Sequence, residues 1–186
     1  LVIRSDQINF SRSLDNGRSL KVIDANTKGV SKIETGVKGD NKWDGIAAVG
    51  QTLLCAPCNA SSVLVIDAKT KAVSTIETGH EGDYKWSGIA SVGETLFCAP
   101  HNASSVLVID AKTKALATIA TGVKGNSKWA GIAAVGETLF CAPYDTSSVL
   151  VIDAKTKAVS TIETGVEGKI KWTGIAVVGE TLFCAP

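Results

Sequence analysis

Methionine is absent from the 186 residues, histidine occurs only twice, and aromatic residues make up 5% of the chain. Two histidines in different repeats offer no basis for the multi-histidine clusters of many metal enzymes. The formal net charge of +1 provides no attraction to nucleic acid or to anionic lipid. No apolar run approaches the roughly 18 residues of a membrane-spanning helix, so no membrane span is predicted. The chain begins with Leu1, so we expect its natural start to lie upstream, and its cellular location stays open.

Five cysteines are present, and four of them recur at a spacing of 43 residues: Cys55, Cys98, Cys141 and Cys184. Equivalent positions in neighbouring packed sheets lie roughly 10 Å apart, beyond the ~7 Å limit between the Cα atoms of a disulfide. The fifth, Cys58, forms Cys-Ala-Pro-Cys with Cys55, a pattern found in zinc and redox sites, but no second pair completes four ligands. We therefore predict free thiols, no metal site and no cofactor.

The chain is dominated by one unit that repeats at a strict period. The block Lys-Trp-x-Gly-Ile-Ala occurs four times, 43 residues apart, with its tryptophans at Trp43, Trp86, Trp129 and Trp172. A unit copied this faithfully buries its apolar faces against copies of itself. We treat residues 1–186 as one domain, with a degenerate first unit 1–43, complete units 44–86, 87–129 and 130–172, and a partial unit 173–186.

Each unit is predicted to form four short strands. In unit 87–129 these are residues 88–92, 95–99, 106–109 and about 116–121. Pro100 ends the second strand because proline cannot donate to a ladder, and the apolar run 106–109 is typical of a strand buried on both faces. No window has apolar residues at i, i+3 and i+4 over ten or more positions, so no helix is predicted. Four antiparallel strands per unit predict an all-β fold, a β-propeller of near-identical blades.

The repeated pattern also carries a resemblance. Gly-Ile-Ala-x-Val-Gly-x-Thr-Leu, followed by Ser-Val-Leu-Val-Ile-Asp-Ala-x-Thr and Thr-Ile-x-Thr-Gly, resembles the YVTN/NHL-like class of β-propeller repeats over nearly the whole chain. The resemblance implies that the first strand of each blade lines a central channel. WD40 and kelch repeats are not resembled, since Trp43-Asp44 occurs in one unit only and no Gly-Gly signature is present.

The two ends of the chain carry incomplete units. Residues 173–186 repeat only the first two strands, whereas the third and fourth strands return from Ser19 to about residue 35. We expect these parts to complete one blade. They would do so within one chain, as a terminal hairpin clasp, or between two chains, by strand exchange into a larger homodimeric ring. Residues 1–14 match the first two strands only at Ile3 and Phe10, and would be displaced or form an outer strand.

Differences between the units are concentrated in two of their four loops. The second turn contains Cys58-Asn59, His101-Asn102 or Tyr144-Asp145, and the loop between units varies as well. In an antiparallel meander these loops lie at one end, and the uniform first and third turns lie at the other. We predict that this variable end recognises a glycan or a protein through residues that include Asn59, His101, Asn102 and Tyr144. Drift in loops without tight turn geometry is the alternative.

The repeated Lys-Trp pairs are predicted to lie near the channel mouth at the same end: Lys42 and Trp43, Lys85 and Trp86, Lys128 and Trp129, Lys171 and Trp172. Such a ring of indoles could stack on sugars or planar groups, and the ammoniums beside them could bind anions. The alternative, which we favour, is that each indole wedges between adjacent blades, because large aromatic residues bury area first.

These observations favour a non-enzymatic, lectin-like binding module on a repeat scaffold. His80 and His101 each occur in one unit only, so no catalytic residue is assigned. A purely structural or engineered symmetric repeat protein is the second interpretation, since copies this alike indicate recent or deliberate amplification. A lyase or hydrolase on a propeller is the third. The expected partner is a glycan or a protein rather than nucleic acid.

Overall fold

The computed structural model describes residues 19–186, and the predictions for residues 1–14 lie outside that range. Residues 19–186 include no helix with the length and hydrophobicity that crossing a bilayer requires. The described strands are β1 (Ser19–Ile23), β2 (Val30–Glu34), β3 (Trp43–Val49), β4 (Thr52–Pro57), β5 (Ser62–Asp67), β6 (Val73–Glu77), β7 (Trp86–Val92), β8 (Thr95–Pro100), β9 (Ser105–Asp110), β10 (Leu116–Ala120), β11 (Trp129–Val135), β12 (Thr138–Pro143), β13 (Ser148–Asp153), β14 (Val159–Glu163), β15 (Gly174–Val178) and β16 (Thr181–Ala185).

These strands form three antiparallel four-stranded sheets and two hairpins. Each sheet is a meander in chain order, from β3 to β6, from β7 to β10 and from β11 to β14. The hairpins β1–β2 and β15–β16 are the incomplete units at the two ends. The predicted all-β architecture of repeated four-stranded antiparallel units is therefore confirmed. The described strands do not form a closed ring, so both modes of closure stay predictions.

The first strand of each complete sheet begins at its tryptophan, which for β7 is two residues earlier than predicted. Trp86 pairs with Pro100, but Ile89 pairs with Cys98, so the register shifts between the two pairs. Such a bulge interrupts the alternation from which a strand is predicted, which explains the late start at Gly88. Proline is tolerated at the irregular end of this ladder because its missing N–H is not needed there.

The glycine of each Lys-Trp-x-Gly block lets the first strands of neighbouring sheets approach closely. A Cβ atom on Gly88 would lie 2.7 Å from the carbonyl oxygen of Ala130 and 3.2 Å from the Cα atom of Gly131. On Gly131 it would lie 2.9 Å from the carbonyl oxygen of Thr173, and Gly45 makes the same kind of approach to β7. The obstructing atoms are backbone, so no larger residue fits without moving the strands apart.

The sheets pack face to face through the apolar residues of their strands. Fully buried Trp86 lies between the first two complete sheets. Around it pack Leu54, Ala56, Val63 and Val65 of one sheet and Ile89, Leu96, Cys98, Leu107 and Ile109 of the other. The next interface is built in the same way around Trp129. The strands between two interfaces are therefore buried on both faces, as their continuous apolar runs predicted.

Each third turn is closed by the carboxylate of its aspartate. Asp67 Oδ1 accepts hydrogen bonds from the backbone N–H groups of Lys69 at 2.9 Å and Thr70 at 2.7 Å. The bond from Thr70 in particular lowers the pKa of Asp67 below its ordinary value, since it favours the charged form. The same pair of bonds caps the third turn at Asp24, Asp110 and Asp153.

The close approach of the first strands predicts a large effect of one methyl group. Gly88→Ala is expected to lower the free energy of unfolding by about 3 kcal/mol, the upper part of the range for overpacking. Gly93→Ala is the control, because Gly93 has a φ of 59° but no atom within 4 Å of its Cβ position. Only backbone strain of about 1–2 kcal/mol is expected there. Urea unfolding measures both losses, and equal losses would contradict the close approach.

The capped turns also predict how stability depends on pH. Because the folded-state pKa of each aspartate is lowered, the stabilisation is present above the ordinary value of 3.8 and is lost as the pH falls through the folded-state value. Asp67→Asn combined with Asp110→Asn keeps the oxygen acceptors but removes the titration. The double variant should therefore lose less stability than the unmodified protein between about pH 4 and pH 2. Glu94→Gln, an exposed residue of a first turn, is the control in the same acid titration, and an acid limb unchanged by the double variant would refute the assignment.

Candidate ligand-binding face

The second turns and the loops between sheets meet at one end of the molecule, as predicted. His101 donates its backbone N–H to the carbonyl oxygen of Lys85 at 3.0 Å, and Asn102 donates to that of Tyr84 at 2.9 Å. The units on either side make the same pair of bonds. We call this end the loop face; it comprises turn residues 57–61, 100–104 and 143–147 and loop residues 35–42, 78–85, 121–128 and 164–171.

Two of the predicted site lysines fasten neighbouring sheets together. The Lys128 ammonium donates to the carbonyl oxygens of His101 at 3.1 Å and Gly125 at 2.7 Å, and its backbone N–H also donates to His101. Lys85 makes the equivalent bonds to Cys58 and Gly82. Both lysines are almost completely buried, at 4% exposure for Lys85 and 2% for Lys128, and burial lowers the pKa of each. Their charges are therefore directed at carbonyl groups and not at a ligand.

The second residue of each turn ties the turn to the loop of the next unit. Asn102 Oδ1 accepts a hydrogen bond from the backbone N–H of Ser127 at 2.9 Å, while its Nδ2 donates to the carbonyl oxygen of Asp83 at 3.0 Å. Asn59 and Asp145 accept the equivalent bond in their units. The donors are residues with positive φ, which need such a partner to hold the loop. Asn59 and Asn102, both predicted as ligand contacts, thus have a structural role.

The first residue of each turn connects the sheets through its backbone and not through its side chain. In His101 the N–H donates to Lys85, and the carbonyl accepts from Lys128, which directly precedes the next sheet. Cys58 and Tyr144 occupy the same place and make the same backbone bonds. Since the connection between sheets does not depend on the side chain, this position tolerates cysteine, histidine and tyrosine. Variation is thereby concentrated on the loop face while the sheets stay fastened.

The tryptophans lie between the sheets rather than on the surface. The Nε1 atom of Trp86 donates to the carbonyl oxygen of Ser105 at 2.8 Å, and that of Trp129 donates to Ser148 at 2.8 Å. Both indoles have 0% exposure, so neither presents a ring face to a ligand. Trp43 makes the equivalent bond but is only half-buried. The interpretation favoured from the sequence, in which each indole is wedged between adjacent blades, agrees with the positions of these three tryptophans.

The remaining predicted site residues, Lys42, Lys171 and Trp172, belong to the first and the last of the four Lys-Trp pairs. Lys171 donates from Nζ to the carbonyl oxygen of Gly168 at 2.7 Å, and Trp172 precedes β15. Both side chains are half-buried, as is Lys42. Half-burial distinguishes these residues from their fully buried counterparts in the middle units.

Three aromatic side chains from successive loops form a strip across the loop face. The ring centroids of Tyr84 and His101 are 6.3 Å apart at an interplanar angle of 45°. Those of His101 and Tyr144 are 5.4 Å apart at 52°. Tyr84 is 46% exposed, and the other two rings are half-buried. We call Tyr84, His101 and Tyr144 the aromatic strip. Two of its members were predicted as site residues, and Tyr84 was not.

A hydrogen bond at Nδ1 fixes the tautomer of both histidines of this region. Asn102 Nδ2 donates to a carbonyl, which leaves Oδ1 to accept from His101 Nδ1 at 3.2 Å. His80 Nδ1 lies 2.9 Å from the carbonyl oxygen of Thr78, which can only accept. Each Nδ1 atom therefore carries the hydrogen, and each Nε2 atom is an acceptor. Partial burial lowers the pKa of His101, so its neutral form prevails at pH 7.

A cavity of about 400 Å³ adjoins the aromatic strip at Asn102. Its volume lies within the roughly 300–1,000 Å³ range of small-molecule sites. Its walls come mainly from two loops and one turn, and they include the buried Trp86, whose ring lies 5.4 Å from that of His80 in a T-shaped arrangement. Polar lining residues are His80, Glu81, Asp83, Lys85, Asn102 and Asn126.

The Cys-Ala-Pro-Cys segment carries no sign of redox or metal chemistry. Burial raises the pKa of Cys55 to about 12, and burial is also the main reason that the pKa of Cys58 rises to about 12. Both are free thiols, and a protonated thiol is a poor nucleophile and a poor metal ligand. Across residues 19–186, no three His, Cys, Asp or Glu side chains form a group that could hold a metal ion.

Sequence reasoning overlooked three residues of this region: Tyr84, His80 and Asp83. Each belongs to the variable loop between units, so the signal was present as a departure from the repeat. Tyr84 has Asn41, Ser127 and Ile170 as its counterparts in the other units. The presence of an aromatic side chain at this position in one unit only is the sequence signal that could have identified Tyr84 as part of the aromatic strip.

Comparison with solved structures shows the fold of β-propeller proteins. Virginiamycin B lyase from Staphylococcus aureus superposes with a TM-score of 0.78 at 14% identity, over 92% of this chain and 57% of the lyase chain. A chain of the nidogen–laminin complex superposes with a TM-score of 0.68 at 14% identity, over 89% of this chain and 63% of that one. The computationally designed protein Ika8 gives a TM-score of 0.59 at 11% identity, over 83% of this chain and 48% of its own.

No family model matches the sequence, and no match is found among curated proteins. The resemblance to β-propeller repeats, inferred from the repeated motif, is confirmed by these superpositions. Identities this low show the fold alone. The chain spans from 48% to 63% of the length of the three propeller chains.

The lysine fasteners predict that equivalent lysines differ in their contribution to stability. Lys128→Met removes the ammonium that binds two buried carbonyl oxygens, and each such charge-assisted bond contributes roughly 1.5–3 kcal/mol. Lys171→Met is the matched control, because that ammonium binds one carbonyl at an exposed site and should contribute about 1 kcal/mol or less. Guanidinium unfolding of the two variants measures the difference. Losses of equal size would show that Lys128 does not fasten the sheets.

Proposed function

We propose that this protein is a non-enzymatic binding module whose loop face recognises a neutral glycan. The observation that carries the proposal is the aromatic strip, in which three rings from successive loops lie 5.4–6.3 Å apart. Aromatic rings with a polar edge bind ligands that combine apolar and hydrogen-bonding surfaces. A pyranose ring is such a ligand, since its C–H groups contact the ring faces while its hydroxyls extend to the sides.

Hydrogen-bond acceptors flank the strip where those hydroxyls would lie. In His80 and His101 the Nδ1 atom is engaged in a hydrogen bond and Nε2 is the remaining acceptor, and the carboxylates of Glu81 and Asp83 line the adjoining cavity. Tyr84 accepts from Asn41 through its hydroxyl oxygen at 3.2 Å and keeps its hydrogen available to donate. A ligand rich in hydroxyl donors matches this set of groups.

The charges on this face favour a neutral ligand over an anion. Lys85 and Lys128 are the cations that lie deepest in it, and carbonyl groups already surround both ammoniums. Asp83 and Asp145 add negative charge around the strip. An anionic sugar or a phosphate on the strip would therefore lie near the carboxylates of Asp83 and Asp145, while the ammoniums of Lys85 and Lys128 are engaged by carbonyl groups.

A purely structural or engineered repeat protein is the second candidate function. This candidate is favoured because the side chains that recur in the units, namely the lysines, the tryptophans and the Asx residues, all have structural roles. Similarity to the designed protein Ika8 is compatible with it. A lyase, the activity named for the protein from Staphylococcus aureus, is the third, and that similarity extends to the fold only.

The test is a screen of the purified chain against an array of neutral oligosaccharides, followed by calorimetry on the sugars that bind. Tyr144→Ala and His101→Ala should each weaken binding about tenfold, as the loss of roughly 1.4 kcal/mol of aromatic contact implies. The melting temperature should change little, because the backbone of these residues makes the bonds between sheets.

Glu94→Ala, in a first turn at the opposite end, is the matched control and should bind as the unmodified protein does. Binding that survives both aromatic substitutions would place the site elsewhere. An array without a bound neutral sugar would favour the structural candidate.

A further inference from the structure

The two end hairpins are complementary halves of one four-stranded unit. Hairpin β15–β16 corresponds to the first two strands of a complete sheet, and hairpin β1–β2 corresponds to the last two. Within residues 19–186, β16 pairs only with β15 and β1 only with β2. In each complete sheet the corresponding second and third strands are hydrogen-bonded to each other.

Apolar side chains at these hairpins are exposed where their counterparts are buried. Ile23 is 70% exposed, whereas Ile66 and Ile109, at the same place in complete sheets, have 0% exposure. Phe183 is 58% exposed, whereas its counterpart Phe97 has 0% exposure. Exposed apolar side chains on a strand edge mark a surface for pairing with another strand. Ile109 packs against the preceding sheet and Phe97 against the following sheet, so Ile23 and Phe183 mark the two faces of the chain that lack a neighbouring sheet.

We infer that the hairpin β15–β16 of one chain pairs with the hairpin β1–β2 of a second copy, so that two chains close one ring of eight blades. Each chain supplies three complete blades and two halves, and the two-fold symmetry satisfies both open ends at once. This inference is independent of the proposed function.

The curvature of the chain identifies a second copy, rather than the chain's own other end, as the partner. A chain with four blades' worth of strands would have to bend through a full circle to close on itself. Instead, it superposes over most of its length on 57% of one propeller chain and 48% of another. A chain that matches about half the length of larger propeller chains has the geometry of an open arc of such a propeller. A second arc of the same size fills the other half.

The repeat fixes the register of the new pairing. Thr52 pairs with Asp67 and Cys55 with Leu64 in the first complete sheet. Shifted by the period, the composite blade pairs Thr181 with Asp24 and Cys184 with Lys21 of the second copy. In the ring, Ile23 faces the second copy's sheet β11–β14 and Phe183 faces its sheet β3–β6, as Ile109 and Phe97 face the sheets before and after their own.

The hydrogen bond between each tryptophan and the third strand can be placed in the composite blade by the same shift of the repeat period. Each indole donates to a serine carbonyl 19 residues further along the chain, as Trp129 does to Ser148. For Trp172 that place in the composite blade belongs to Ser19 of the second copy. Likewise, Gly174 would lie against the carbonyl of the second copy's Asp44, as Gly131 lies against that of Thr173.

The test begins with the mass of the unmodified chain in solution by light scattering. The expected result is about twice the 19.3 kDa of one chain. A Lys21→Cys variant is then oxidised mildly with oxidised glutathione. Directly opposed residues on antiparallel strands have Cα atoms about 4.5–5.5 Å apart, which suits a disulfide between the new thiol and Cys184. A non-reducing gel should show a covalent dimer that reduction converts to a single chain.

Val22→Cys is the matched control, because successive side chains of a strand point to opposite faces, and it should not cross-link. A disulfide formed within a single chain would overturn the proposal in favour of the terminal clasp. A monomeric mass for the unmodified chain, with thiols that stay free in the Lys21→Cys variant, would overturn it as well.

Gly174→Ala provides a second measurement that needs no oxidation. In one isolated chain its Cβ atom would meet only Ala185 Cβ, at 3.9 Å, which is an ordinary contact. In the ring it would overlap the second copy's Asp44. The variant should therefore keep its fold and shift from dimer to monomer at micromolar concentration. A dimer as tight as that of the unmodified chain would refute the proposed contact.

Discussion

Backbone meets backbone where the first strands of adjacent sheets pass each other, and only glycine permits that distance. With Gly88 against Ala130 and Gly131 against Thr173, the sheets are as close as their main chains allow. The other contacts between units depend on this spacing. The tryptophan reaches both sheets, the lysine ammonium reaches two carbonyls, and the Asx side chain spans from a turn to the following loop. A wider spacing would break all three kinds of contact together, since each has a fixed reach.

On the loop face, the backbone and the side chain of a single residue can differ in what they contribute to the structure. At Cys58, His101 and Tyr144, the main chain makes the hydrogen bonds that connect the sheets, and the side chain takes no part in those bonds. Neighbouring positions behave in the opposite way, because the side chains of Lys128 and Asn102 make the connection themselves. Uniform and variable residues therefore alternate along the same turn. A surface organised in this way can change its chemistry without loosening the fold.

Most of the fold could be predicted from the sequence because its signals lie within one unit. Alternation, turn residues and the apolar run place the four strands of unit 87–129 within two residues of their observed bounds, apart from the bulge at Gly88. The concentration of differences between the units in two of their four loops identified the loop face. The functions of Lys128 and Asn102 could not be predicted, since their partners lie 25 to 27 residues away in the neighbouring unit. The aromatic strip likewise depends on loops that come together only when sheets stack.

The contacts between sheets are short in sequence, and this has a consequence for how the chain folds. Between neighbouring sheets, the lysine bonds span 27 residues, the Asx bonds 25 and the bond between Ser87 and Asp44 43, while the indole bonds span 19 residues within one sheet. No described contact of this kind requires the distant ends to meet first. Loop-closure entropy is therefore low at every step, and a nucleus can form at any unit and grow toward both ends. A chain emerging from the ribosome can order each sheet as soon as the following unit appears, so its folding proceeds in the order of its synthesis.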